Sequence, residues 1–151
     1  YPQEPIAEFD LKDCLYQGLI LREKDFRQFV KDHDWEQYQG QRLGVFCSED
    51  AIIPHWAYML VATKLAPYAA ALVFGDRSQV LKAAYRERIE AEDWPAYQDR
   101  RVVVKGCSEK EVPTDAYMEV SRRLQPYAKV IMYGEPCSTV PIYKKPKAPK
   151  N

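Results

Sequence analysis

The spacing of apolar positions changes several times along the chain, and each change marks an element. Residues 6–11 alternate, with Ala7, Phe9 and Leu11 opposed to Glu8 and Asp10, which predicts a half-buried edge strand. Between 12 and 33, Leu15, Leu19, Phe26, Phe29 and Val30 fall at helical spacings, Gly18 interrupts them, and Arg22, Glu23, Lys24, Asp25 and Arg27 take the water side. Trp35 and Tyr38 anchor a turn into a strand at 42–47. A helix follows over 55–65, stopped near Pro67 because proline cannot continue the backbone bonding. A strand at 70–74 ends at Gly75. Val80, Leu81, Ala84, Tyr85 and Ile89 then predict an amphipathic helix over 77–92, and strand 101–106, helix 114–124 and strand 129–133 complete the pattern.

The second half restates the first. Asp34-Trp35, Tyr38-Gln39, Ala57-Tyr58-Met59, Pro67-Tyr68-Ala69 and Gly75 return as Asp93-Trp94, Tyr97-Gln98, Ala116-Tyr117-Met118, Pro126-Tyr127-Ala128 and Gly134. Two copies, 34–75 and 93–134, are too few for a solenoid, so they read as a duplicated strand-helix-strand unit inside one α/β domain spanning 1–143. The long helix between them returns the chain to the start of the sheet. That predicts one mainly parallel four-stranded sheet, with the repeat strands in the order 2-1-3-4. Such an order opens a crevice at the C-terminal strand ends. The stretch 144–151, Lys-Lys-Pro-Lys-Ala-Pro-Lys-Asn, reads as a disordered basic tail.

The copies differ on one face. Tyr58, Val61 and Leu65 match Tyr117, Val120 and Leu124, but Trp56 and Leu60 become Asp115 and Glu119. The first helix therefore hides an additional apolar face, either against the N-terminal segment or in a dimer or partner contact.

Composition narrows the function classes. Among 151 residues, 22 Lys and Arg balance 22 Asp and Glu, so there is no basic field for a nucleic acid. No apolar run reaches the roughly 18 residues of a membrane span, and the expectation is a soluble, cytoplasmic protein. The four cysteines, at 14, 47, 107 and 137, include no Cys-x-x-Cys pair and read as free thiols or ligands.

Three cysteines stand in similar surroundings, each followed by Ser and, a few residues on, by Pro: Cys47 to Pro54, Cys107 to Pro113 and Cys137 to Pro141. On a parallel sheet all three line its upper edge, where they and His55 would suit zinc or an iron-sulfur cluster. Against this, no short segment supplies two ligands, and cysteine is a small residue that packs well in cores. A thiol enzyme is the third reading, disfavoured because Glu49 and Glu109 stand where a thiolate would need cations. The backbone of the Cys-Ser-Glu turns is also a candidate anion receptor, with Arg77 or Lys110 assisting. His33 reads as a solvated helix cap, and Asp34 and Asp93 as turn or cap residues. No H-E-x-x-H, G-x-S-x-G or phosphate-loop motif occurs, so no catalytic residue is assigned.

The run from Tyr16 to Arg27, the turns ending Ile53-Pro54 and Val112-Pro113, and the closing motif Tyr133-Gly134-Glu135-Pro136-Cys137-Ser138-Thr139-Val140-Pro141-Ile142-Tyr143 resemble an uncharacterised bacterial, Bacteroidetes-type family, the domain of unknown function family 2480. The resemblance implies no activity, cofactor or catalytic residue. Its association with iron-sulfur cluster assembly favours Cys47, Cys107 and Cys137 as metal or sulfur handlers. The sequence thus supports first a non-enzymatic protein with a cysteine-lined sheet edge for a soft metal, a cluster or a sulfur-handling partner. A structural or interaction protein using the Trp56/Leu60 face is the alternative.

Overall fold

The computed structural model describes residues 1–135 and 137–148. The element order is β1 (Ile6–Asp10), a 3-10 turn, α1 (Glu23–Asp32), a 3-10 turn (Trp35–Tyr38), β2 (Arg42–Phe46), α2 (His55–Leu65) and β3 (Ala71–Phe74). Then come α3 (Arg77–Ala91), a 3-10 turn (Trp94–Tyr97), β4 (Arg101–Val104), α4 (Thr114–Leu124), β5 (Val130–Glu135) and β6 (Ser138–Lys144). The chain divides into two compact units, Pro2 to Ala83 and Ala84 onward, and each holds one copy of the repeat.

The mixed α/β class matches the sequence reading, but the single four-stranded parallel sheet does not form. Among the described residues the strands make two three-stranded sheets, β1-β2-β3 and β4-β5-β6. The reason is edge occupancy. β1 pairs in parallel with β2 on the side where the order 2-1-3-4 would seat β4, running from Ile6 opposite Arg42 to Asp10 opposite Phe46. β3 takes the other side of β2, also parallel. In the second unit β5 lies between β4, parallel, and β6, antiparallel. The crevice expected between the first strands of the two repeats has no basis, because β2 and β4 belong to different sheets.

Helices α2 and α4 start and end where the sequence places them, each behind a proline, Pro54 or Pro113. The stretch 15–22 is not helical. Gln17 and Gly18 both have positive φ (52° and 69°), and Tyr16 and Ile20 bridge across them, so Leu15 and Leu19 do not share a helix face. β6 is a strand that the periodicity did not reveal, because Pro141 breaks the run. Proline is tolerated there since β6 is an edge strand, and the register is irregular where Ile131 pairs with Tyr143 and Met132 with Pro141, leaving Ile142 between as a bulge. Lys144 ends β6, and Lys145 is tied down by its N–H to the Lys129 carbonyl (2.8 Å) and its ammonium to Asp99 (3.3 Å). Residues 146–148 of the expected tail follow without helix or strand, and 149–151 lie outside the described residues.

The first core collects Phe9, Leu11, Phe26, Val30, Trp35, Leu43, Val45, Val61 and Leu65, and the second Ile89, Trp94, Ala116, Leu124, Ala128 and Ile131. Gly44, in the middle of β2, is where the chain entering α3 passes closest. A Cβ there would stand 2.5 Å from the Gly75 carbonyl oxygen and 2.8 Å from a Val80 methyl. Its counterpart in the second copy is Val103, so this approach is particular to the first unit.

Candidate functional site

The repeats agree down to single hydrogen bonds. The Trp35 indole N–H donates to the Val30 carbonyl (2.7 Å), and that of Trp94 donates to the Ile89 carbonyl (2.9 Å). Gly40 N–H reaches the Tyr68 carbonyl (2.9 Å), and Asp99 N–H the Tyr127 carbonyl (2.9 Å). Both donors sit at positive φ, 72° and 59°, so a glycine and an aspartate make the same left-handed turn. Tyr58 meets Phe74 edge-on at 5.2 Å, and Tyr117 meets Tyr133 the same way at 5.8 Å. Since Val30 and Ile89 lie in α1 and α3, the repeat begins a helix earlier than 34 and 93, which the side chains there disguise.

Against this shared frame, the first unit carries a recess of about 610 Å³ at the C-terminal ends of β2 and β3, lined by Cys47, Glu49, Ala51, Ile53, His55, Tyr58, Met59 and Phe74. Its rim is unusually apolar for a water-facing surface: Ile52 in the adjoining loop is 94% exposed, Phe74 74% and Met59 66%. The loop holding Cys47 is tethered. Ser48 N–H donates to the Asp10 carboxylate of β1 (3.1 Å), and the Cys47 thiol points to the Glu49 carbonyl (3.6 Å). Burial works to raise the Asp10 pKa, but the hydrogen bonds from Ser48 and Lys12 outweigh it and the net shift is down. The Ser48 N–H that was a candidate anion donor is thus already given to a carboxylate. Arg77 N–H likewise faces the Glu8 carboxylate (3.2 Å).

Two of the four residues expected to hold a metal, Cys47 and His55, therefore share one recess. Cys107 and Cys137 belong to the other unit, are both exposed, and follow β4 and β5. Because those strands are adjacent and parallel, both cysteines follow strand ends on the same side of the second sheet, where Lys105 and Glu135 form an ion pair (3.6 Å). Among the described residues no group of three or more His, Cys, Asp or Glu is arranged to hold a metal ion. Cys14 is buried, and burial, assisted by Asp13, pushes its thiol up to about 12. A thiol held that high is protonated and unreactive.

Trp56 of the predicted interaction face meets Phe26 of α1 edge-on at 5.7 Å, with the Arg27 guanidinium 5.6 Å from its ring, and Leu60 packs on the first core. The N-terminal segment thus packs on the apolar face that the second copy lacks.

His33 is the C-cap of α1, its backbone N–H donating to the Phe29 carbonyl (3.0 Å), but its ring is part-buried and not solvated as the sequence suggested. Its ring stacks on Phe29 (5.2 Å) and Tyr38 (5.7 Å), abuts Phe9 and Trp35, and bonds the Tyr38 hydroxyl at 2.8 Å. Glu92 takes the equivalent place, accepting from the Tyr97 hydroxyl at 3.1 Å. Asp34 and Asp93 precede their 3-10 turns without side-chain capping bonds.

Residues 1–145 match the family described as protein of unknown function, DUF2480. The chain belongs to DUF2480. No curated protein and no solved structure matches it. The match extends through β1 and β6, the two strands outside the repeat. Among the described residues, no helix is long and apolar enough to cross a membrane.

Proposed function

We propose that this protein is a small cytoplasmic binding protein without catalytic activity of its own, and that the Phe74 recess is its working surface. One observation carries the reading: an open, largely apolar recess whose rim residues Ile52, Met59 and Phe74 are all well exposed. Water-facing apolar surface of this kind costs free energy in the unbound protein and is returned when a ligand or partner covers it. The cytoplasmic reading is supported by four cysteines that are all free.

The test uses anilinonaphthalene sulfonate fluorescence on the native chain. The dye is expected to bind, and binding is expected to drop in both Phe74→Asp and Met59→Gln at unchanged circular dichroism. A dye signal that is lacking, or that neither variant alters, would sink the reading.

The cysteine reading stands second, supported by two exposed cysteines that follow neighbouring parallel strands of the second sheet. Zinc and iron analysis of anaerobically purified protein decides it. Near-stoichiometric metal that disappears in Cys107→Ser supports a soft-metal or sulfur-handling role, and metal-free protein with Cys107 and Cys137 open to thiol reagents removes it.

A further inference from the structure

The duplication supplies an internal control for what is missing from the first unit. By the repeat, β3 corresponds to β5 and β2 to β4. β5 has β4 on one side and on the other the antiparallel strand β6, from Glu135 opposite Ser138 to Val130 opposite Lys144. Among the described strands β3 pairs with β2 alone, so its second edge is the counterpart of the edge that β6 covers. In both units the aromatic pair beside this strand borders a recess. The Tyr117–Tyr133 pair lines a recess of about 210 Å³ to which the bulged residue Ile142 of β6 contributes. The equivalent Tyr58–Phe74 pair borders the recess of about 610 Å³, whose other lining residues come from the Cys47–His55 loop and Met59 and have no counterparts in the smaller one.

The composition of the edges points the same way. Exposed edges are normally guarded by charge or proline. Of the four edge strands described, β1 carries Glu8 and Asp10, β4 carries Arg101, and β6 carries Pro141 and Lys144. β3, Ala-Leu-Val-Phe, carries neither charge nor proline, and Leu72 and Phe74 are 41% and 74% exposed.

We propose that β3 takes an additional antiparallel strand from a partner protein, an extended, largely apolar segment of the same class as β6, which sets an aliphatic or aromatic side chain into the Phe74 recess. This rests on the recess being the working surface, and it names the occupant. Strand addition draws affinity from main-chain hydrogen bonds and specificity from the pocket. A second copy of this chain fits less well. The four residues of β3 offer about 13 Å of edge, and pairing two such edges falls well short of the roughly 1,200 Å² at which stable interfaces begin.

The probe is a synthetic peptide of the chain's own β6 sequence, Ser-Thr-Val-Pro-Ile-Tyr-Lys, titrated into the isotope-labelled full chain and followed by amide and aromatic resonances. Binding should perturb 71–75 together with the Tyr58 and Phe74 rings, and Phe74→Asp should weaken it by about tenfold or more. Met59→Gln, on the helix side of the recess, should weaken it as well, which guards against a local change in β3. Three results would overturn the proposal: silence at 71–75 up to millimolar peptide, shifts confined to β5 through exchange with the resident strand, or a concentration-dependent dimer that Phe74→Asp dissolves. Dye binding that persists, and still depends on Phe74, while the peptide fails would reject strand addition and leave the recess reading standing.

Discussion

His33 and Glu92 occupy one position of the repeat with different chemistry, and the difference is measurable. Burial among four aromatic rings lowers the His33 pKa, against a smaller raising pull from Asp34. The folded state therefore binds this proton less tightly than the unfolded state. Its contribution to stability is complete above the unfolded value of 6.5 and is lost as the pH falls through that value toward the lower folded one. Because the ring is only part-buried, solvent screening keeps the effect below about 1 kcal/mol. Thermal denaturation between pH 8 and pH 5 should fall more steeply for the native chain than for His33→Gln, whose amide retains a partner for Tyr38. Parallel curves would show that His33 carries no such linkage. The sequence hid this residue because it ends a charged helix, where a solvated cap is the ordinary expectation. The rings that enclose it come from β1, α1 and the following turn, and no local window contains all of them.

At the scale of elements, each copy is pinned by a tryptophan that closes the end of the preceding helix. Trp35 and Trp94 are buried, and each donates its indole N–H to a carbonyl in that helix, Val30 or Ile89. Phenylalanine removes the donor and leaves a small void, which should cost about 1–3 kcal/mol at either site. Trp35→Phe and Trp94→Phe are therefore expected to shift the urea midpoint by similar amounts, and a large effect at one site alone would contradict the equivalence of the two copies. Helices and strands of the repeat were legible because they recur at one spacing between the two copies, and α2 and α4 are bounded by prolines that the chain states openly. Sheet membership was not legible. It turned on β1 claiming the far edge of β2, and on a proline-bearing segment adding to β5, and both are pairings between residues distant in sequence. The candidate site was half legible for the same reason. Cys47 and His55 are eight residues apart and share the recess, whereas Phe74 joins them only because β3 pairs beside β2.

For the whole molecule, opposite charges cancel, 22 against 22, at a pI of about 6.9. Near neutral pH there is no net repulsion to keep copies apart, so self-association depends on whatever apolar surface is shown. The Ile52, Met59 and Phe74 rim is such a surface. Two substitutions separate its contribution from that of net charge. Phe74→Asp and Lys64→Gln each move the net charge by one unit toward negative, and both positions are exposed. If net charge alone governed solubility at pH 7, the two variants would gain equally. If the rim governs it, Phe74→Asp should raise the solubility limit well above Lys64→Gln, and the gap should persist in high salt, where charge repulsion is screened and apolar contact is not. Equal limits in ammonium sulfate precipitation would mean that the rim is not what copies of this protein present to one another. A persistent gap would mark the same residues that the strand-addition proposal assigns to a partner as the ones that most need covering.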